Sequence, residues 1–191
     1  IDKVLQSILN PSYGLAKWFH CGKQQDIHSK SDISRKVSQI CEDKFNKTPL
    51  VLNESLNKDN PSKVQIKAMQ KVIDGLLTYP MQPKLGLSGF GPDVAIFKMV
   101  LKKSGILEES QEGLIFGDPE PRMKCLLNEI KNFCEETKGR STEVSKLIDK
   151  IRKPPYGIRR GIIPLLLAVV WRKHFLPHIT LRLNGNVLWP V

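Results

Sequence analysis

The sequence predicts a mainly α-helical fold, a multi-helix domain with a C-terminal β-hairpin. Apolar side chains recur at helical spacing through most of the chain. Gly, Pro and small polar residues stand where those patterns begin and end, and from residue 178 the apolar positions alternate instead, as in a strand. We therefore expect a helical domain at residues 1–140 and a helix–helix–hairpin module at 141–191 packed on it, unless the chain forms one continuous domain.

The first two predicted helices lie at residues 31–45 and within residues 60–80. Ser31 or Asp32 can cap the first helix, and Pro61 follows an asparagine cap in the second. Each helix has one apolar face, which normally packs against a core. The faces comprise Ile33, Val37, Ile40, Cys41 and Phe45 in the first helix and Val64, Ala68, Val72, Ile73, Leu76 and Leu77 in the second.

Three further amphipathic helices are predicted at residues 91–105, 118–139 and 141–153. A Pro-Asp pair opens the first of them, and a glycine ends each of the first two. The pair Pro154 and Pro155 stops the third, because proline has no backbone N–H and clashes with the preceding turn.

A helix that is apolar nearly all round is predicted from about residue 162 to His174. Pro164 falls in its first turn, where a missing N–H costs nothing, and such a helix belongs in the centre of a core. The apolar run at 162–170 is far shorter than the roughly 20 residues of a spanning helix, and basic residues flank it. We therefore expect no membrane partner.

The C-terminal residues predict a two-stranded hairpin around Asn184 and Gly185, a pair typical of the type I′ turn. Helix, link, helix and hairpin in this order are typical of the end of a winged-helix module, although one helix of the usual set is not apparent. A winged-helix-like arrangement of residues 141–191 is therefore a hypothesis.

The charge of the chain favours an anionic partner. The net charge is +11 and the isoelectric point is near 9.6, which suits nucleic acid or an acidic protein. Basic residues surround the last helix and the hairpin, and phosphate contacts come from Arg and Lys on one face. The predicted nucleic-acid-binding residues are Arg152, Lys153, Arg159, Arg160, Arg172, Lys173 and Arg182.

Three functions stay open from the residues alone. The first is DNA binding without catalysis, with Tyr156, Trp171 and Trp189 as candidates for stacking on bases. The second is a protein–protein docking module whose basic face meets an acidic partner. The third is an enzyme whose site assembles only in three dimensions.

No complete catalytic or cofactor motif is apparent in the sequence, so neither an enzyme nor a cofactor is expected. The glycines at residues 86–91 precede no Lys-Ser or Lys-Thr pair, and Pro92 removes one N–H from a phosphate-binding loop. His20 and Cys21 are adjacent, so their side chains are expected to point apart, which argues against a zinc site with His28 and Cys41. Four cysteines without a CxxC pair suggest reduced thiols and a cytoplasmic protein.

Three ordered segments resemble a region of large bacterial P-loop ATPases from phage-defence gene clusters, of the BREX type and its relatives. The matching positions are Asn53, Glu54, Leu56 and Asn57; Leu85, Gly86 and Gly89; and Pro154, Pro155, Tyr156, Gly157 and Pro164. The resemblance covers about residues 48–191. It implies a helical, non-catalytic segment of a larger defence protein, with the ATPase motifs elsewhere and with other domains or subunits of a defence complex as partners.

Overall fold

The computed structural model describes residues 2–78, 81–111, 113–176, 178–184 and 186–189. This part of the chain contains seven α-helices and three separate antiparallel hairpins, so the predicted mainly helical fold is confirmed. The chain forms two compact units, residues 1–46 and 47–191. The predicted division after residue 140 falls inside the second unit and stays a prediction.

The first unit contains two helices and one hairpin. They are α1 (Asp2–Leu9), β1 (Trp18–His20), β2 (Lys23–Gln25) and α2 (Lys30–Lys44). Ser29 caps α2 by accepting a hydrogen bond from the Asp32 N–H at 3.2 Å, so the helix begins earlier than predicted. No residue of α2 is buried, and Val37 on its apolar face is 52% exposed. A unit this small has too little other apolar surface to cover that face.

The second unit contains the other helices and two hairpins. They are α3 (Lys63–Leu77), α4 (Pro92–Ile96), β3 (Leu107–Ser110), β4 (Gly113–Phe116), α5 (Pro121–Glu136), α6 (Val144–Arg152), α7 (Ile163–His174), β5 (Leu181–Leu183) and β6 (Asn186–Trp189). The predicted helix at 91–105 is found as α4 and the π-helix Phe97–Lys102 that continues it. On α3, Val64 is exposed although the sequence placed it on the buried face.

The helix α7 lies at the centre of the second unit, as its composition predicts. Apart from Pro164 in its first turn, its residues from Ile163 to Val170 are 0 to 7% exposed. It packs against α3 and α5. Burial of this many apolar side chains makes α7 a large contributor to the hydrophobic stabilisation of the unit.

The predicted C-terminal hairpin is present, with β5 and β6 paired antiparallel. Asn184 has a φ of +49°, the left-handed conformation that a type I′ turn requires at its first central position. Gly185, the second residue of the predicted turn, lies outside the described residues. The order α6, α7, β5, β6 agrees with the predicted helix–helix–hairpin series, and the winged-helix arrangement stays a hypothesis.

Within the described ranges, no helix has the length and apolar character that crossing a bilayer requires.

Candidate nucleic-acid interface

Three of the predicted contact residues surround one carboxylate. Asp59 lies 3.5 Å from Arg152 Nη2 and 3.3 Å from Arg159 Nη1, and its Oδ1 accepts a hydrogen bond from the Arg160 backbone N–H at 3.1 Å. The Arg160 N–H lowers the pKa of Asp59 most, and the two guanidinium groups lower it further. The side chains of Arg152 and Arg159 therefore already have an anionic partner within the protein.

The backbone beside this cluster explains why it forms. The Gly161 N–H donates to the Lys58 carbonyl at 2.8 Å, which holds the loop before α3 against the start of α7. A Cβ atom on Gly161 would lie 2.3 Å from the Leu56 carbonyl oxygen and 2.4 Å from Pro61 Cγ. Only glycine allows so close an approach, and the approach brings Asp59 to the arginines.

A second polar cluster holds the Pro-Pro-Tyr-Gly turn. The hydroxyl of Tyr156 donates to Glu129 Oε2 at 3.1 Å, and Glu129 also pairs with Lys150. Burial raises the pKa of the Tyr156 hydroxyl, as do Cys125 and Glu129 beside it. Thr48 donates to the Tyr156 carbonyl oxygen. The turn thus connects α5, α6 and the segment before α3, which is a structural role.

The remaining predicted residues lie apart from the Asp59 cluster. Lys153 is exposed just after α6, and Arg182 is exposed on β5. Arg172 and Lys173 are in the last turn of α7, and Lys173 Nζ lies 5.5 Å from the centre of the Phe116 ring. The described contacts therefore divide the seven residues among four places: the Asp59 cluster, the residue after α6, the end of α7 and the hairpin.

Arg160 also borders a small cavity of about 310 Å³ between α6 and the start of α7. Its other walls include Ile148, Ile163 and Leu167, which makes it mainly apolar.

A large groove of about 1420 Å³ lies in the second unit. Its walls are the C-terminal end of α5, the loop at 137–143, the C-terminal end of α7 and residues 178–182. We call it the α5–α7 groove. Its basic lining residues are Lys131, Lys138, Arg140 and Arg182, against the acidic Glu135 and Glu143. The charge balance of the lining is positive.

Aromatic and imidazole rings line the same groove. The aromatic and imidazole side chains that line the groove are Phe133, Trp171, His174, Phe175 and His178. Burial lowers the pKa of His174, and Lys131 and Lys173 lower it further by repulsion. The lowered pKa favours the neutral form of the His174 ring.

The loop between α5 and α6 is held in place by local hydrogen bonds. Arg140 Nε donates to the Glu136 carbonyl at 3.2 Å, and the Thr137 hydroxyl donates to the Cys134 carbonyl at 2.8 Å. Both bonds satisfy carbonyls at the end of α5, which lack helical partners. They keep Lys138 and Arg140 at the edge of the groove.

Of the predicted residues only Arg182 lines this groove, and sequence reasoning missed Lys131, Lys138 and Arg140. The signal in the sequence was the short basic segment Lys138–Gly139–Arg140 between two helices, which local periodicity treats as a linker. Only folding brings this segment and Arg182 to the same groove.

The His20 and Cys21 side chains converge at the tip of the first hairpin, contrary to the expectation that adjacent residues would point apart. Cys21 Sγ lies 3.4 Å from His20 Nε2, because Cys21 adopts a φ of +49° in the turn. Among the described residues, no three His, Cys, Asp or Glu side chains gather where they could hold a metal ion.

No protein-family model, curated protein or solved structure matches this chain.

Proposed function

We propose that this chain binds DNA without catalysis and that the α5–α7 groove is its main contact surface. The observation that carries the proposal is the groove itself, which places Lys131, Lys138, Arg140 and Arg182 around one concavity. Basic side chains along a groove attract the phosphate backbone and release its counterions. The net charge of +11 adds a long-range attraction for DNA.

The resemblance to phage-defence ATPases extends the proposal. We propose that the chain is a DNA-binding or DNA-coupling region of a larger cytoplasmic defence ATPase, with other domains or subunits of that complex as partners. In support, residues of two matching motifs take part in long-range packing: the Leu56 carbonyl lies against Gly161 at the start of α7, and the Pro155 and Tyr156 carbonyls accept hydrogen bonds from Lys47 and Thr48. Residues that build the fold in this way agree with a non-catalytic segment.

Binding to random-sequence duplex and single-stranded DNA tests the proposal, measured by fluorescence anisotropy between about 50 and 200 mM salt. We expect affinity to fall steeply as the salt concentration rises, since each phosphate contact contributes a slope of about −0.7 to −0.9. The double variant Lys138→Glu, Arg140→Glu should bind at least about ten-fold more weakly and with a shallower salt slope. Circular dichroism checks that the variant is folded.

The matched control is Lys63→Glu, Lys67→Glu on the exposed side of α3, which changes the net charge equally. An equal loss in both double variants would mean that general charge, and not the groove, attracts DNA. The variant Arg159→Glu, Arg160→Glu separates the earlier predicted site from the groove, and we expect it to weaken binding less than the groove variant.

Binding of neither DNA form at low salt would refute the proposal. Binding of an acidic polypeptide such as polyglutamate, with the same dependence on Lys138 and Arg140 and without DNA binding, would identify a docking module for an acidic protein instead.

A further inference from the structure

We infer that the α5–α7 groove takes single-stranded DNA in preference to duplex DNA. The inference rests on the proposed function and names the form of DNA that this site selects.

The burial of α7 argues against α7 acting as a recognition helix for duplex DNA. In helix-turn-helix proteins the recognition helix enters the major groove, and its side chains contact the base edges. Here α7 is the helix before the C-terminal hairpin, but the side chains of Leu165 to Val170 are at most 7% exposed. They cannot reach a base edge without unfolding the core.

The lining of the groove fits unpaired bases. Proteins that bind single strands combine basic residues that follow the backbone with rings on which the bases stack. The groove has both, because Trp171, His174 and Phe175 at the end of α7 line it together with the basic Lys138, Arg140 and Arg182. In a duplex the bases are stacked on each other, so these rings would have no partner.

The state of the rings supports stacking. Trp171 and Phe175 are half-buried and packed against the core, so little side-chain entropy is lost when a base stacks on them. His174 lines the same groove, and its lowered pKa favours an uncharged ring next to the basic residues. His178 is exposed and lines the same groove.

Competition between two probes of equal length tests the inference on the whole chain. We expect oligothymidylate to bind at least about five-fold more tightly than random-sequence duplex at the same salt concentration. This factor corresponds to the lower end of the range that stacking of one base on an aromatic ring contributes to affinity. The variant Lys138→Glu, Arg140→Glu should weaken binding of both probes.

The variant His178→Ala removes an exposed ring and should weaken oligothymidylate binding about five-fold, and duplex binding by a smaller factor, because a duplex offers no unpaired base to stack on the ring. Its matched control is Phe90→Ala, which removes a ring that is 98% exposed and does not line the groove. The fluorescence of Trp171 gives a direct readout: in the background Trp18→Phe, Trp189→Phe, checked for folding by circular dichroism, it should fall when oligothymidylate binds.

Equal affinity for the two probes, with unchanged Trp171 fluorescence, would overturn the inference while DNA binding itself stands. Binding of neither probe would remove the proposed function as well, so the two failures are distinguishable.

Discussion

The hydrogen bond from Tyr156 to Glu129 makes a specific prediction about stability, tested by Tyr156→Phe. Tyr156 is 5% exposed, and its hydroxyl lies 3.1 Å from a carboxylate oxygen. A hydrogen bond to a charged group contributes about 1.5–3 kcal/mol. Glu129 keeps its ion pair with Lys150 and is 19% exposed, so water replaces part of the lost bond. We expect the variant to lose about 1.5 kcal/mol, or roughly 3–6 °C in Tm.

The pH dependence distinguishes this explanation from a simple packing defect. The ordinary pKa of tyrosine is 10.0, and the folded protein raises it. Above pH 10 the unfolded chain loses the tyrosine proton while the native state keeps it, so the native state becomes less stable. The loss approaches about 1.4 kcal/mol for each pH unit. The advantage of the wild type over Tyr156→Phe is therefore fully present below pH 10 and should nearly vanish by about pH 11.

Urea denaturation followed by circular dichroism at several pH values between about 8 and 11 measures this difference. The matched control is Tyr13→Phe, because Tyr13 is 61% exposed and the same hydroxyl is removed. We expect this control to follow the wild type at every pH. A constant difference between wild type and Tyr156→Phe across pH 10 would refute the reasoning, since it would show that the Tyr156 proton is not retained on folding.

Three further predictions concern other contacts. Gly161→Ala should destabilise the protein by about 2 kcal/mol in urea denaturation, because the added Cβ would lie 2.3 Å from the Leu56 carbonyl oxygen. Unchanged stability would show that the loop before α3 and the start of α7 separate easily. Asp59→Asn should destabilise the protein at neutral pH. The difference in stability from wild type should shrink as the pH falls below the ordinary pKa of 3.8, because the folded state lowers the pKa of Asp59. A difference in stability that does not change with pH would contradict the ion pairs of Asp59. A thiol reagent should modify the exposed Cys21 well before Cys134, whose pKa is raised by burial, and equal rates in peptide mapping would contradict the described burial.

Local patterns were sufficient to predict most helices of the second unit. Periodic apolar residues with Gly or Pro at the ends located α3, α5, α6 and α7 to within a few residues, and the all-apolar α7 was correctly placed in the core. Such signals depend on neighbours along the chain, which a sequence displays directly.

Apolar periodicity wrongly predicted that side chains in the first unit and at the start of α3 would be buried. The spacing of apolar residues makes α2 amphipathic, yet Val37 on its apolar face is exposed. Val64 on the apolar face of α3 is exposed as well. Periodicity shows which side chains share a face but not whether another element covers that face.

The sequence by itself determined the helical class of this protein, its positive charge and the central position of α7, because each follows from composition and local spacing. Only the tertiary structure decided which basic residues share a surface. It paired Arg152 and Arg159 with Asp59, about a hundred residues away, and brought Lys138 and Arg140 to the same groove as Arg182. These arrangements depend on contacts between distant segments, such as the close approach at Gly161, and no local pattern encodes them.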